Sequence, residues 1–148
     1  MKTKDLILAM RAPFLAKLLI GIKTAEVRRT KPDMINFYGT RLYLYHKKRI
    51  YGHVTVEDWQ YTYRRFLNDL CKNWCAAACL THEEMWKYLA GDLSPAGQDM
   101  ACRNGIIYLV RDPVRYAVPV DVPCRPKSWQ YMTPEIKVLL PYEEEEEA

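Results

Sequence analysis

The sequence has no apolar run of the roughly 18–20 residues that a membrane-spanning helix needs. The longest apolar run near the N-terminus, Phe14–Ile20, is interrupted by Lys17 and preceded by Pro13. The small-residue cleavage site of a secretory signal peptide is also missing there. These absences argue against a membrane anchor and a secretory leader, and they predict a cytoplasmic protein with no membrane partner.

Several catalytic signatures are absent as well. The sequence has no phosphate-binding glycine loop, no nucleophile elbow and no metalloprotease motif, and we expect no cofactor. Its three histidines, His46, His53 and His82, do not stand at metal-binding or catalytic spacing. His46 and His53 flank a basic hairpin, so they could form the acid–base pair of a ribonuclease only by meeting across it.

Cysteines are present in an odd number, five, which does not suit a secreted disulfide framework. Cys71, Cys75 and Cys79 are four residues apart on a predicted helix, so their sulfurs would be about 6 Å apart. The tight pair of a zinc site is missing, and Cys102 or Cys124 would have to complete any metal centre. We therefore predict small core residues and no metal.

Positive charge is concentrated in the N-terminal third. Residues 1–53 hold twelve lysines and arginines against three acidic residues, a net charge of +9, whereas residues 54–142 are balanced at ten and ten. Such asymmetry points to an anionic partner, and a merely solubilising surface is the alternative. The 148 residues fit one domain, which we place at residues 1–142, followed by an acidic disordered tail at 143–148 that contains Glu143–Glu147.

The hydrophobic pattern predicts an α/β (α+β) fold, a small mixed β-barrel with flanking helices. Asp5–Met10 is dense enough in apolar residues for a buried strand, and Pro13 suits the first turn of a helix that ends at Gly21. From Thr24 the period becomes two, which indicates a half-buried strand with a polar face.

Further elements follow along the chain. A hairpin is predicted at Arg41–His46 and Ile50–Glu57, around the turn Lys47–Arg49. Two helices are predicted next, one at Arg64–Ala78 and one that runs from the capping box of Thr81 and Glu84 to Gly91. A second hairpin is predicted at Gly105–Arg111 and Val114–Val122, around Asp112 and Pro113. Residues 123–142 contain four prolines and little periodicity, so we expect them to wrap over the body without forming a layer.

The densest group of polar residues is Gly21–Arg29. Lys23 lies in the predicted turn, and Thr24, Glu26 and Arg28 share one face of the following strand. A lysine and an arginine together can hold a phosphate, and a glutamate between them can orient these cations or accept a hydrogen bond from a base amino group. An exposed strand face with an internal salt bridge explains the same pattern equally well.

The pattern Gly-x-Lys-Thr-x-Glu-x-Arg over Gly21–Arg28 resembles the opening of the ASCH domain, a family of the PUA-like superfamily. The resemblance continues in Tyr38–Tyr45, Ile50–Val56, Thr81–Gly91 and Pro126–Tyr131, so it covers most of residues 5–131. It implies a PUA-like small barrel with flanking helices and a cleft that accepts RNA or a nucleoside.

Some small ASCH proteins are similar to amidohydrolases that act on acetylated cytidine through a lysine, a threonine three residues later and a distant glutamate. Lys23 fits the first role. The position three residues later is Glu26, which cannot act as a hydroxyl nucleophile. Thr24 lies two positions early, so the resemblance does not carry this activity over to the chain.

Aromatic and basic residues outside the motif extend the candidate site. Trp129 and Tyr131 could stack on a base while Lys127 and Arg125 contact phosphate, or the two aromatics could anchor the C-terminal segment on the core. Tyr43 and Tyr45 could line the cleft or cover a second small core.

The candidate ligand-binding residues are Arg11, Lys23, Thr24, Glu26, Arg28, Arg29, Tyr45, Lys127, Ser128, Trp129 and Tyr131. Lys23 and Glu26 are also the candidate catalytic residues. These residues predict a module that binds RNA or a nucleotide, and its ligand could include a modified nucleoside. The alternatives are a hydrolase acting on a modified nucleobase or on RNA, of the amidohydrolase or ribonuclease type, and an adaptor that engages other proteins.

Overall fold

A computed structural model describes residues 4–62, 67–90 and 105–141. The described residues form six strands and four helices: β1 (Leu6–Ala9), α1 (Ala12–Leu19), β2 (Ala25–Arg28), β3 (Arg41–His46), β4 (Arg49–Tyr61), α2 (Leu67–Ala78), α3 (His82–Ala90), β5 (Ile106–Asp121), β6 (Trp129–Tyr131) and α4 (Pro134–Lys137). No helix within these ranges is both long enough and apolar enough to cross a membrane.

All six strands belong to one sheet, in the order β2-β5-β4-β3-β1-β6. Only β1 and β3 run parallel, and every other neighbouring pair is antiparallel. The sheet curls into a half-barrel with helices around it, which confirms the predicted α/β class and the PUA-like small barrel. No strand pairing among the described residues closes the barrel, so β2 and β6 are its two open edges.

The first two elements follow the sequence pattern closely. The strand β1 is buried throughout its first three residues, and Pro13 stands in the first turn of α1, where its missing N–H costs nothing. Gly21 takes a φ of +80° just after the helix, in the left-handed region that glycine enters without strain. Leu15, Leu18 and Leu19 attach α1 to the inner face of the sheet.

The predicted basic hairpin is present, with a shorter turn than expected. Lys47 and Lys48 form the turn with φ values of +46° and +69°, as a two-residue turn with both central residues at positive φ requires. Arg49 already pairs with His46 as the first residue of β4. Its Nε donates to a carboxylate oxygen of Asp121 at 2.8 Å.

The predicted second hairpin is wrong, because Ile106–Asp121 is one continuous strand of 16 residues. Asp112 has a φ of +51°, and the pairing with β4 shifts register between His53 and Thr55, opposite this point. Asp112 and Pro113 therefore form a bulge, where a missing backbone N–H is tolerated. The long partner strand β4 holds both halves of β5 in one ladder.

The C-terminal segment does more than wrap over the body. Trp129–Tyr131 adds β6 to the edge of the sheet beside β1, and Thr133 caps the short helix α4 by accepting from the N–H of Ile136. Ile136 and Leu140 are buried on the outer face of the sheet. The expectation that residues 123–142 form no layer is therefore wrong for β6 and α4.

Side chains alternate between two cores along β1 and β3. Leu6, Leu8, Leu42 and Leu44 lie in the inner core with α1, whereas the side chains between them lie in an outer core beneath α4. The helices α2 and α3 form a third apolar cluster against β2.

The predicted helices α2 and α3 are present, and the capping box of α3 is confirmed. The N–H of Thr81 donates to Glu84 Oε1 at 2.9 Å, and the N–H of Glu84 donates to Thr81 Oγ1 at 3.1 Å. The predicted start of α2 at residues 64–66 and the predicted stop at Gly91 lie outside the described residues.

Within the described residues, no group of three histidine, cysteine or acidic side chains is arranged to hold a metal ion. Cys75 and Cys124 are partly buried thiols, and the Cys75 Sγ contacts the Met85 Sδ at 3.9 Å. Cys79 follows the end of α2 with a φ of +55°, so it does not continue the helical face of Cys75. The side chains of Cys71 and Cys102 lie outside the described part of the chain.

Candidate functional site

The site is built on β2, whose four residues are all buried. Ala25 and Val27 pack toward α2 and α3, while Glu26 and Arg28 lie on the other face of the strand. The predicted half-burial of this strand is therefore wrong, because both of its faces are buried, and so is the alternative of an exposed strand face. Since β2 lies at one edge of a curled sheet, its polar face turns into the half-barrel instead of toward solvent.

Lys23 is only 2% exposed, and its ammonium lies at the C-terminal end of α2. Its Nζ donates to the carbonyl of Ala78 at 2.7 Å and lies 3.6 Å from Glu26 Oε1. The Phe14 ring lies beneath the same ammonium, 5.2 Å from its centroid. A cation suits this place because the last carbonyls of a helix carry partial negative charge.

Glu26 has two unlike oxygens. Its Oε1 accepts from the N–H of Val27 at 3.1 Å and faces Lys23. Its Oε2 is buried and has no hydrogen-bond partner among the described residues. A buried carboxylate oxygen without a donor costs free energy, so this atom marks a place where a donor from a ligand or a water molecule would be stabilising.

Arg28 connects the two open edges of the half-barrel. One terminal nitrogen donates to the carbonyl of Ala9 at 2.9 Å, at the end of β1. The other donates to the carbonyl and the hydroxyl of Ser128, at 2.7 and 2.8 Å, just before β6. The planar guanidinium makes these three bonds from two separate nitrogens, a spread that the single ammonium nitrogen of a lysine does not offer. Its two terminal nitrogens are thus engaged with the protein itself.

Tyr108 stands beside Glu26 in the neighbouring strand β5. Burial raises the pKa of its hydroxyl far above the ordinary value, while the nearby charge of Arg28 acts in the opposite direction. The hydroxyl therefore stays protonated at neutral pH, and it can serve the site as a neutral hydrogen-bonding group.

The remaining motif residues and several basic side chains lie at the surface around this buried group. Thr24, Arg29, Arg11 and Lys127 are exposed. Arg29 lies over the ring of Tyr88, 5.2 Å from its centroid. These side chains can meet a ligand without any rearrangement of the core.

Trp129 and Tyr131 are half-buried and contact each other edge to face, with centroids 5.3 Å apart. Both pack against the inner core, and the ammonium of Lys4 lies over the Tyr131 ring at 4.8 Å. The two rings therefore anchor β6 on the core while part of each ring stays exposed to solvent. Anchoring the C-terminal segment and stacking on a base are thus compatible roles for these residues.

Tyr45 lies apart from this group. It is buried in the outer core with Tyr43, on the opposite face of β3 from Leu44. Of the two interpretations for these tyrosines, the structure supports a second small core. His53 also lies there, beside the rings of Tyr43 and Tyr116.

Sequence reasoning missed three parts of the site: Phe14, Tyr108 and the carbonyl of Ala78. Tyr108 meets Glu26 through strand register, and Ala78 meets Lys23 across 55 residues. No local pattern signals such contacts. The spacing from Pro13 to Gly21 did place Phe14 at the start of α1, but it gave no indication that its ring would meet Lys23.

No protein-family model matches the chain, and no curated protein matches it. Solved structures match the chain. The crystal structure of ASCH from Zymomonas mobilis matches with a TM-score of 0.72 and 18% identity, over 91% of this chain and 92% of that one. A tyrosine-to-phenylalanine variant of the same protein, ZmASCH, matches with a TM-score of 0.72 and 18% identity, over 92% of this chain and 95% of that one. A serine-to-alanine variant of ZmASCH matches with a TM-score of 0.70 and 17% identity, over 91% of this chain and 92% of that one. The chain therefore has the ASCH-like fold that its motif over Gly21–Arg28 predicted.

Proposed function

We propose that the protein binds RNA or a nucleotide in a cleft around Lys23, Glu26 and Arg28. The observation that carries this proposal is the second oxygen of Glu26, which is buried without a donor among the described residues. A nucleobase offers amino and ring N–H groups as donors to such an oxygen. A modified nucleoside that retains such a donor would fit in the same way.

Basic groups continue from this cleft to the β3–β4 hairpin. Arg28 binds the carbonyl of Ala9, and the next residue, Met10, accepts from the imidazole Nδ1 of His46 at 2.9 Å. Arg11 follows Met10, and Lys47 follows His46, both exposed. A phosphate backbone lying along this path would meet successive cations, as single-stranded nucleic acids do in their binding grooves.

A ligand can reach the Glu26 carboxylate only if neighbouring side chains move, because Glu26 is only 6% exposed. Rotamer changes of this kind are common when partners bind. Phe14 is half-buried beside the Lys23 ammonium, which pairs with Glu26, so we infer that rotation of its ring gives a base access to the carboxylate. The exposed cations would make the first contacts, and the base would then enter.

The first experiment is a titration of labelled single-stranded RNA at several salt concentrations. We expect log affinity to fall linearly with log salt, with a slope near −0.7 for each phosphate contact. Lys47→Glu combined with Lys48→Glu should weaken binding and flatten the slope. The matched control is Lys72→Glu with Lys87→Glu, which changes the net charge equally on the exposed surface of α2 and α3. Equal losses in both double variants, or no binding at low salt, would contradict the proposal.

The second experiment separates a binding module from a hydrolase. In a binding module, Glu26→Gln keeps the shape of the site and changes affinity by about 1.5–3 kcal/mol, the scale of a hydrogen bond to a charged group. In a hydrolase that uses Glu26 as a base, the same variant retains binding and loses turnover by roughly a hundredfold or more. Glu57→Gln, at an exposed position of β4, is the control.

The wild type and both variants are incubated with modified nucleosides and short RNAs, and products are followed by mass spectrometry. We expect binding without conversion. Conversion by the wild type and by Glu57→Gln, but not by Glu26→Gln, would replace the proposed binding function by catalysis.

A further inference from the structure

A second concave site lies beside α1, and it is a cavity of about 260 Å³ that is partly open to solvent. The helix lines it with residues at spacings of three and four, which place them on one face: Ala12, Leu15, Ala16, Leu19 and Ile20. Successive residues of a helix turn by about 100°, so Phe14 lies on the opposite face from Ala12 and Ala16. This cavity, the α1 groove, is therefore separated from the cleft by the helix itself.

The helix wall of the α1 groove is apolar and incompletely filled. Ala12 and Ala16 are exposed and contribute only a methyl group each, and Ile20 is 59% exposed, so it offers apolar surface to an occupant. The volume is slightly below the roughly 300–1,000 Å³ of pockets that take drug-sized molecules. The groove therefore suits a single flat ring system, and a helix of a partner protein, about 10–12 Å wide, does not fit inside it.

The strands supply the aromatic and polar groups of the α1 groove. Tyr51 of β4 is half-buried, and Arg115 of β5 is exposed and forms no ion pair with any residue that the structure describes. The Nδ1 of His46 lies 2.9 Å from the carbonyl oxygen of Met10. Because a carbonyl only accepts, Nδ1 carries the proton and Nε2 of the neutral ring is left as an acceptor. An occupant thus finds a ring, a cation and an acceptor.

Positive charge continues from the α1 groove to the neighbouring turn. Lys47 and Lys48 follow His46, are exposed, and form no ion pair within the described ranges, whereas Arg49 is bound to Asp121. The occupant should therefore carry negative charge directly beside its ring, a combination that every nucleotide offers. We propose that the α1 groove is a second base-binding subsite for single-stranded RNA. A base stacks on Tyr51 against Ile20, and its phosphate lies on Arg115.

The α1 groove is continuous with the cleft. Arg28 donates to the carbonyl of Ala9, and the next carbonyl, that of Met10, holds the imidazole of His46 at the edge of the groove. Arg11 is exposed between the two sites, at the N-terminus of α1. A helix is about 10–12 Å wide, so an RNA strand of a few nucleotides can cross this end and reach both sites. The inference rests on the proposed function, because it gives the same RNA a second contact.

The test is photo-cross-linking of the full chain with single-stranded RNAs of about ten nucleotides, within the usual range of site sizes, that carry one 5-iodouridine. On irradiation the C–I bond breaks, uracil C5 bonds to a ring carbon of an aromatic side chain, and HI is lost. Linked peptides are identified by mass spectrometry. We expect links to Tyr51 from some iodouridine positions and to Phe14 from others. Tyr38 is 55% exposed and contacts Arg111, so links to Tyr38 alone would reflect exposure and would overturn the subsite.

Two variants test the walls that would enclose the base. Tyr51→Leu removes the stacking ring and should weaken RNA binding roughly 5- to 100-fold, the usual effect of losing one base–aromatic stack. Ile20→Ser should weaken binding several-fold and leave the salt slope unchanged, because an apolar contact releases no counterions. Its control is Ile22→Ser, at a position that is 63% exposed and does not line the groove.

A third variant tests the phosphate contact. Arg115→Gln should weaken RNA binding and make the log–log salt slope shallower by about 0.7, the contribution of one phosphate. The matched control is Arg111→Gln in the same strand, because Arg111 is exposed, lies 3.5 Å from a carboxylate oxygen of Asp112 and does not line the groove. Arg115→Gln and Ile20→Ser change surface side chains, so both remain decisive where Tyr51→Leu fails to fold.

The outcomes distinguish this inference from the proposed function. Links to Phe14 without links to Tyr51, together with equal affinities in each variant and its control, would refute the subsite alone and leave the groove to an apolar group of another protein chain. Links to Tyr51 without links to Phe14 would refute the cleft and keep the groove as the RNA site. Absence of RNA binding by the wild type at low salt would refute both.

Discussion

Removing the Arg28 side chain should destabilise the fold far more than removing its exposed neighbour Arg29. Arg28 donates three hydrogen bonds that join the two open edges of the half-barrel, to the carbonyl of Ala9 and to the carbonyl and hydroxyl of Ser128. The residue is 8% exposed, so these bonds are poorly screened by solvent.

The magnitude follows from what each partner loses in Arg28→Ala. The carbonyl of Ser128 keeps a bond from the N–H of Ala9, at 2.9 Å, and its hydroxyl still lies 3.4 Å from the Thr30 hydroxyl. The carbonyl of Ala9 loses its donor from the guanidinium. A hydrogen bond to a charged group contributes about 1.5–3 kcal/mol, so three imperfectly replaced bonds give a loss of about 3–5 kcal/mol. For a chain of this size, this lowers Tm by about 6–20 °C.

Urea denaturation at constant pH measures the free energy of unfolding through the midpoint and the slope. Arg29→Ala is the matched control, because Arg29 is exposed and has a ring contact with Tyr88, worth about 0.5–1 kcal/mol. Arg28→Lys should recover only part of the loss, since an ammonium lacks the fork geometry. If Arg28→Ala costs no more than Arg29→Ala, the two edges are held by other contacts and the reasoning is refuted.

Two further predictions concern single elements. Gly52→Ala should lower the free energy of unfolding by about 3 kcal/mol or more, because Gly52 has a φ of +156° and a Cβ there would lie 2.1 Å from the carbonyl oxygen of Val114. Gly39→Ala should lower it by only about 1–2 kcal/mol, because a Cβ at Gly39 would meet no atom within 4 Å. Thr81→Ala should cost about 1 kcal/mol in urea denaturation, the usual effect of a lost N-cap. Hydrogen bonds with Thr81, mainly with its backbone N–H and secondly with its hydroxyl, lower the pKa of Glu84 below its ordinary value of 4.5. The difference in the free energy of unfolding between wild type and Glu84→Gln should therefore be constant above pH 4.5 and shrink as pH falls through the lowered pKa. A difference that grows toward low pH would contradict that sign.

Local patterns predicted the elements whose signals lie within one segment. The buried run of β1, the proline and glycine that bound α1, and the capping box of Thr81 and Glu84 each act over a few residues. The motif over Gly21–Arg28 carried enough of the fold to indicate its ASCH-like architecture.

Long-range pairing explains the errors. Asp112 and Pro113 are typical turn residues. The 13-residue strand β4 nevertheless pairs with the parts of β5 before and after them, so these two residues form a bulge within one strand. The curl of the sheet likewise decides which side of β2 is buried. A period of two predicts that Glu26 and Arg28 share a face, but it does not say whether that face meets solvent or the inside of a half-barrel.

Different burial of the two neighbouring arginines implies different effects on RNA binding. Arg28 is occupied by Ala9 and Ser128, while Arg29 and Lys127 are exposed near the same edge strands. Replacing Arg29 and Lys127 by alanine should leave the urea midpoint nearly unchanged, weaken RNA binding, and make the log–log salt slope shallower by about 0.7 for each phosphate that is no longer neutralised. Arg28→Lys should lower the urea midpoint, yet below the unfolding transition it should keep the wild-type salt slope, because the guanidinium contacts the protein and not a phosphate. A shallower slope in Arg28→Lys would show that Arg28 leaves its partners to hold RNA, and the role of this arginine as a purely structural connection between the two edges would then be wrong.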